Sequence, residues 1–221
     1  MTTDTKNLVS FGCSWTYGDS CKNIERDSFR SILAEKYNLN QINLSMPGSS
    51  LLSMQWTLSW WLNKTDVNTV KQSFFLVGLT GEGRTSWYNP KHNKHQAIQP
   101  WDKCLHSTCM EWAYGDTIDS NWYDLNKYYY ALSHSQELEK YNIDTTAIMF
   151  DAVASKYNIP ILQFNTVATL KPKVDSFYDI NIKDKLTELC YPKNDGHPNE
   201  LGHKFIAKYL TETIETNKLL G

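Results

Sequence analysis

Ser73-Phe-Phe-Leu-Val-Gly-Leu79 is apolar almost without interruption, and no other stretch constrains the chain as much. A strand with one face in water alternates polar and apolar residues, whereas one that does not alternate must be covered on both faces. Asn7-Leu-Val-Ser-Phe-Gly12 reads as a first buried strand ending in glycine, Gln41 to Leu44 as a second, and Ile159-Pro-Ile-Leu-Gln-Phe164 as another after the long run. Helical patterns lie between and after them. Asp27 to Tyr37 spaces Phe29, Ile32, Leu33 and Tyr37 along one face, and Leu51 to Leu62 follows the break at Pro47-Gly48 with Ser49 or Ser50 as its cap. Thr145 to Tyr157 has Asp144 as its natural N-cap, and Asn199 to Asn217 repeats Leu201, Phe205, Ile206, Tyr209, Leu210 and Ile214 at helical intervals. The expected fold class is α/β: a three-layer α/β/α sandwich of about five parallel strands in flavodoxin-like order, joined by right-handed crossovers.

A chain of 221 residues fits one such domain, spanning 1–221, with one long insertion. Between Gly81 and Asp144 no buried strand is legible. A structureless loop of that length is rare inside a domain, so an insertion at about 85–143, with helices of its own, is expected; its clearest helical segment runs from Ser120 to Tyr141. The insertion is rich in aromatic residues: Trp87, Trp101, Trp112, Trp122 and Tyr128-Tyr-Tyr130 all fall there. They form either a small core for the insertion or a platform for a sugar or acyl chain.

A net charge of only −2 lacks the basic footprint of phosphate neutralisation, so no nucleic-acid partner is expected. No run of eighteen or more apolar residues is present, and Met1 to Asn7 is polar, so neither a membrane span nor a signal peptide is expected. Five irregularly spaced cysteines (Cys13, Cys21, Cys104, Cys109, Cys190) read as free thiols of a reducing compartment, which points to a cytoplasmic protein. His92-Asn-Lys-His95 and Cys104-Leu-His106-Ser-Thr-Cys109 invite a zinc reading, but structural zinc favours tighter, regular pairs, and no metal is expected. Nothing in the sequence sets an oligomeric state.

Ligands of a parallel α/β sheet gather at the C-terminal ends of its strands, so the residues after the apolar runs should share one crevice. Those segments are Gly12-Cys13-Ser14-Trp15-Thr16-Tyr17-Gly18-Asp19, Asn43-Leu-Ser-Met-Pro-Gly48-Ser49-Ser50 and Gly78-Leu79-Thr80-Gly81-Glu82-Gly83-Arg84. Asp195-Gly196-His197-Pro198-Asn199 stands just before the last helix. A serine at the tip of a strand-to-helix turn exposes its hydroxyl, an imidazole can take the hydroxyl proton, and an acid beside the imidazole fixes its tautomer. Each residue also has a plainer reading: Ser14 as a helix start, His197 as a surface residue at a helix entrance, Thr80 as a strand-end hydroxyl, Arg84 as a solvated cation.

These four segments, in this order, resemble the blocks of the SGNH (GDSL-like) hydrolases, and the match covers most of the chain outside the insertion. Gly12-Cys-Ser14 stands where that family has Gly-Asp-Ser, which implies Ser14 as nucleophile. Gly48 falls at the second-block glycine, whose N–H joins that of the nucleophile in the oxyanion hole. Asp195-Gly-His197-Pro resembles the last block and implies His197 as general base. Two positions depart from the pattern. Thr80 replaces the third-block Asn that donates to the oxyanion and is expected to donate there through its hydroxyl, and Asn194 stands where the family more often has its acid, leaving Asp195 as the acid chosen here. Trp15, Arg84 and Trp87 are candidates for substrate binding. The Gly78-Leu-Thr80…Arg84 form of the third block also resembles variants in tailed-phage proteins, for which virion association is an alternative location.

The resemblance implies a serine esterase that needs no cofactor and works through an acyl-enzyme on a small-molecule or glycan ester. The aromatic content favours an O-acetylated carbohydrate. The alternatives are a lipase or thioesterase with an acyl groove, and a non-catalytic binding or virion-associated module that keeps the fold.

Overall fold

The computed structural model describes residues 5–81, 84–89, 94–98, 135–166, 170–180, 189–190 and 196–220. Its elements follow in the order β1 (Asn7–Phe11), α1 (Ser14–Tyr17), α2 (Ile24–Asp27), α3 (Phe29–Lys36), β2 (Asn40–Asn43), α4 (Leu51–Lys64), α5 (Val67–Lys71) and β3 (Ser73–Leu79). A two-stranded antiparallel ribbon, β4 (Thr85–Asn89) and β5 (Lys94–Ile98), comes next. The described chain then continues with α6 (Gln136–Tyr157), β6 (Ile161–Asn165), β7 (Phe177–Tyr178) and α7 (Glu200–Thr216).

Five strands form one parallel sheet in the order β2-β1-β3-β6-β7. Numbered as sheet strands alone, that is 2-1-3-4-5, the flavodoxin-like order expected from the sequence. Alternation within the buried strands sorts the core into two layers. Leu8, Phe74, Leu76, Leu162 and Phe164 face α3 and α7, where they meet Phe29, Leu33, Ile206 and Leu210. Val9, Phe11, Phe75, Val77 and Ile161 face α4 and α6, where they meet Leu51, Leu58, Ala147 and Phe150. Helices thus cover both faces of the sheet, and β3, fully buried along its length, is apolar apart from Ser73 at its start.

Several local expectations change. The helix ending at Tyr157 does not start after Asp144: it begins at Gln136, and Ser135 caps it by accepting from Leu138 N–H at 3.1 Å. Ile143, already buried against the sheet, shows why. The apolar stripe starts upstream of Asp144, which lies inside the helix and pairs with Lys140 one turn before it. Residues 136–141, expected to end a separate helix from Ser120, therefore belong to α6, and residues 120–134 lie outside the described residues. The helix expected from Asp27 to Tyr37 is interrupted at Ser28, the N-cap position of α3. β7 spans only two residues, too few to show a period in sequence. Among the described residues, no helix is long and apolar enough to cross a membrane.

α7 is fastened to α3 by a buried imidazole. His203 has no exposed surface, its ring stacks on Phe29 with centroids 5.5 Å apart, and its Nδ1 accepts the Phe29 N–H at 3.3 Å. That N–H belongs to the first turn of α3, where no intrahelical acceptor exists. Burial, assisted by the neighbouring Arg30 guanidinium, holds the His203 pKa down at about 4. The unfolded chain binds this proton near pH 6.5, so the folded state loses stability as the pH falls from about 6.5 towards 4. Denaturant titrations should therefore show a loss of about 2 kcal/mol from this group between pH 7.5 and 4.5. His203→Asn, which keeps an acceptor but does not titrate, should flatten that part of the pH dependence, and an unchanged slope would place its origin elsewhere.

Candidate active site

The first segment of the site is shaped by how closely α1 lies on the sheet. Thr16 is fully buried beneath it. A Cβ on Gly12 would overlap Thr16 Oγ1 and come within 2.9 Å of the Gly78 carbonyl oxygen. A Cβ on Gly78 would overlap the same Thr16 oxygen and reach Thr166 Cγ2 at 2.8 Å. β1 and β3 are neighbours, with Phe11 opposite Val77, so these glycines make one depression that Thr16 fills. Ser14 is therefore lifted just clear of the strand ends at the start of a one-turn helix, closed where Gly18 N–H donates to Ser14 O at 2.9 Å.

Arg30 holds the far end of α1. Its side chain is buried, with Nε and Nη2 each 3.4 Å from the Tyr17 carbonyl oxygen, Nη1 donating to Gln41 Oε1 at 2.5 Å and Nη2 to Glu25 Oε1 at 2.9 Å. Its bond to Arg30 keeps the Glu25 carboxyl below its usual pKa.

The histidine segment is held at both of its ends. Asn199 N–H donates to Leu189 O at 2.8 Å, while Asn199 Oδ1 caps α7 by accepting Gly202 N–H at 2.9 Å. Cys190 forms a β-bridge with Pro198 and lies 3.5 Å from the Gly196 carbonyl oxygen through its Sγ. Ser20 Oγ donates to the Pro198 carbonyl, tying this segment to the loop after α1. The result is a contact of 2.6 Å between Ser14 Oγ and His197 Nε2, across 183 positions of sequence.

Gly48 lies at the mouth of the second segment with φ of +73°, a left-handed conformation that a side chain disfavours. The turn around it is tied to the first segment, because Met46 N–H donates to Gly12 O at 3.0 Å. Ser50 then caps α4 in a reciprocal capping box with Ser53. At the end of β3, Thr80 is 0% exposed and its Oγ1 accepts from Arg84 Nη1 at 2.9 Å. Arg84 returns over the strand end, its N–H donating to Gly81 O at 3.2 Å.

The structure thus draws Ser14, His197 and Gly48 to one end of the sheet, with Thr80 and Arg84 beside them. Trp15 belongs to the apolar cluster of the α3–α7 layer, with 5% of its surface exposed. Trp87 lies in β4 opposite Gln96, and nothing further of its side chain is described. Asp195 and Asn194 lie outside the described residues, as do Trp101, Trp112, Trp122, His92, Cys104, His106 and Cys109. Among the described residues no cluster of three or more His, Cys, Asp or Glu could hold a metal, and the described cysteines 13, 21 and 190 are buried. Burial, with Asp27 and Glu200 adding to it, pushes the Cys21 thiol up to about 12.

Three supporting residues escape a reading by motif. Ser20 holds the histidine segment, Arg30 holds α1, and Thr166 donates to Leu79 O at 2.8 Å while its Oγ1 lies 3.5 Å from Cys13 Sγ. Only Arg30 gives a sequence signal: it is a charge beside the apolar stripe of a helix, a pattern that usually marks a solvated flank.

Gly78→Ala should cost on the order of 1–3 kcal/mol by overpacking. Combining it with Thr16→Ala, which removes the overlapping oxygen, should recover part of that loss in a double-mutant cycle read by chemical denaturation. Strict additivity would mean that Thr16 is not what fills the depression.

No family model and no curated protein matches the sequence. Solved structures do. The psychrotrophic esterase EstA from Pseudoalteromonas sp. aligns with a TM-score of 0.52 at 10% identity, over 96% of this chain and 98% of its own. The acetyl xylan esterase Est2A from the rumen bacterium Butyrivibrio proteoclasticus aligns at 0.54 and 11% identity, over 96% of this chain but only 64% of its own length. The lipase Lip_vut3 from a goat rumen metagenome aligns at 0.51 and 13% identity, over 94% of this chain and 97% of its own. At these identities the likeness is one of fold: this chain has the α/β/α fold of ester-cleaving enzymes, in keeping with its resemblance to the SGNH hydrolases.

Proposed function

We propose that the protein is a serine ester hydrolase whose reaction centres on the pair Ser14 and His197. The observation that carries this reading is their 2.6 Å contact, made by residues from opposite ends of the chain at the carboxyl ends of a parallel sheet. A serine hydroxyl is a weak nucleophile until a neutral imidazole accepts its proton, and this contact has the geometry for that transfer. Ser14 Oγ adds to the ester carbonyl carbon as its proton passes to His197 Nε2, and the carbonyl π electrons move onto oxygen. Collapse of the tetrahedral intermediate breaks the carbon–alkoxy bond, and the departing alcohol takes the proton from His197. Water, activated by the same imidazole, then adds to the acyl-enzyme, and a second collapse releases the acid and restores Ser14. The N–H groups of Ser14 and Gly48 hold the oxyanion, with a third donor from the end of β3, where Thr80 stands. Asp195 orients His197.

For the substrate, an O-acetylated carbohydrate is the favoured reading. The aromatic side chains of the insertion suit stacking on sugar rings, and the fold is shared with an acetyl xylan esterase. Turnover of acetylated glycans set against nitrophenyl esters of rising acyl length tests it. Activity that grows with chain length would replace it with an acyl-chain hydrolase.

Ser14→Ala should lower kcat by on the order of 10³ or more with an unchanged melting temperature, leaving only the catalysis that binding and the oxyanion hole supply. A variant retaining a tenth of wild-type turnover would remove Ser14 from the nucleophile's role. Asp195→Asn should damage kcat severely, because an amide can fix the wrong tautomer, whereas Asn194→Ala should be mild. The reverse order would give the position three before His197 the orienting role.

A further inference from the structure

We infer that Arg84, seated on Thr80, supplies the third oxyanion donor directly, so that Thr80 acts as its positioning residue and does not touch the substrate. The inference rests on the hydrolase reading above and names the atoms that complete its oxyanion hole.

The burial of Thr80, together with the bond that seats Arg84 on it, carries the argument. A guanidinium has five N–H donors and no acceptor, so in the 2.9 Å contact Arg84 Nη1 donates and Thr80 Oγ1 accepts. Thr80 has no solvent-accessible surface, and an atom with none cannot meet an incoming carbonyl oxygen at hydrogen-bond distance. Arg84 is only half-buried, and its contact with Thr80 uses one donor of a rigid planar fork. Thr80 is thus the post, and the partly exposed guanidinium is the group of the two with surface left to meet a substrate.

The position fits. Gly78, two residues before Thr80, lies directly under Thr16, so α1 covers this face of β3. Leu79 O accepts from Thr166 Oγ1 at 2.8 Å, and that oxygen lies 3.5 Å from Cys13 Sγ. Cys13 precedes Ser14 and Leu79 precedes Thr80, so a single threonine side chain separates the nucleophile's segment from Arg84's support. No carboxylate among the described residues pairs with Arg84. A cation beside a developing alkoxide stabilises it without first having to reorganise, and a guanidinium on a long arm reaches further than the threonine hydroxyl that replaces the Asn of the resembling family.

The test compares Arg84→Met, Arg84→Lys, Thr80→Val, Thr80→Ser and the double variant Arg84→Met/Thr80→Val, each checked by thermal melt. The readouts are kcat and KM on 4-nitrophenyl acetate and inhibition by phenylboronic acid, whose tetrahedral adduct on Ser14 carries the negative charge of the intermediate. Arg84→Met should lower kcat by on the order of 10²-fold, leave KM within about 2-fold, and weaken the boronate by a factor close to the loss in kcat. Thr80→Val should produce a comparable loss by removing the seat, Thr80→Ser should keep most of the activity, and the double variant should be no worse than Arg84→Met. Arg84→Lys, with a charge but no fork, should fall between. If Thr80→Val does not fold, the serine and arginine variants carry the same test.

A wild-type kcat in Arg84→Met overturns the proposal. So does a loss confined to KM for negatively charged esters, which would make Arg84 a substrate anchor, or a Thr80→Val loss that adds in full to that of Arg84→Met, which would make Thr80 itself the donor. Labelling of wild-type Ser14 by a fluorophosphonate separates these failures from a failure of the hydrolase reading. With labelling intact they remove Arg84's role alone, and without labelling both readings fall.

Discussion

Thr16 occupies the space where two neighbouring strands would carry side chains, and the rest of the site is arranged around that intrusion. Because Gly12 and Gly78 have no Cβ, the helical turn bearing Ser14 can lie down on β1 and β3 instead of standing off them. A methyl group on either glycine would push α1 outward against a densely packed core, which resists such displacement. The height of Ser14 above the sheet is thus set by backbone contact, and the side chains around it inherit that height. Thr166, Cys13 and the end of β3 are all within contact distance of the same depression.

Polar groups buried beneath the site give it rigidity at a cost in desolvation. A guanidinium such as that of Arg30 is costly to bury unless it is well provided with acceptors. Here the Tyr17 carbonyl, Gln41 and Glu25 surround it, so an α1 of only four residues is gripped at its C-terminal end as well as packed from below. His203 does comparable work between α3 and α7, where an apolar side chain of similar size would leave the Phe29 N–H without its acceptor. Both residues fix the relative placement of elements that carry the candidate nucleophile and base.

Legibility in the sequence followed the length of the pattern. β3 could be read because seven consecutive buried residues leave a continuous apolar run, and α7 because seventeen residues repeat their stripe several times. β7, with two residues, and α5, with five, are too short to show any period. The start of α6 was misread because Asp144 is a good capping residue by type, although its position inside an apolar stripe that includes Ile143 overrides that preference. Among the candidate site residues, Ser14, Gly48 and His197 stand beside turn residues that drew attention to them in the sequence, and the structure brings Ser14 and His197 into contact. Ser20 and Thr166 act through contacts between distant segments, which a linear pattern cannot encode, and Arg30 looks in sequence like the solvated flank of a helix. Thr80 was legible as a departure from a familiar block, but its engagement by Arg84 depends on a chain reversal visible only in three dimensions.

The separation of Ser14 from His197 has a consequence for biosynthesis. β1 and α1 are translated early, yet the imidazole that would activate Ser14 follows 183 residues later, and its segment is anchored through α7, whose apolar face packs against α3. Whatever reaction the pair performs is therefore withheld from the nascent polypeptide. A chain translated only as far as β7 carries an unarmed hydroxyl, and the pair is complete only once α7 has been made and packed against α3.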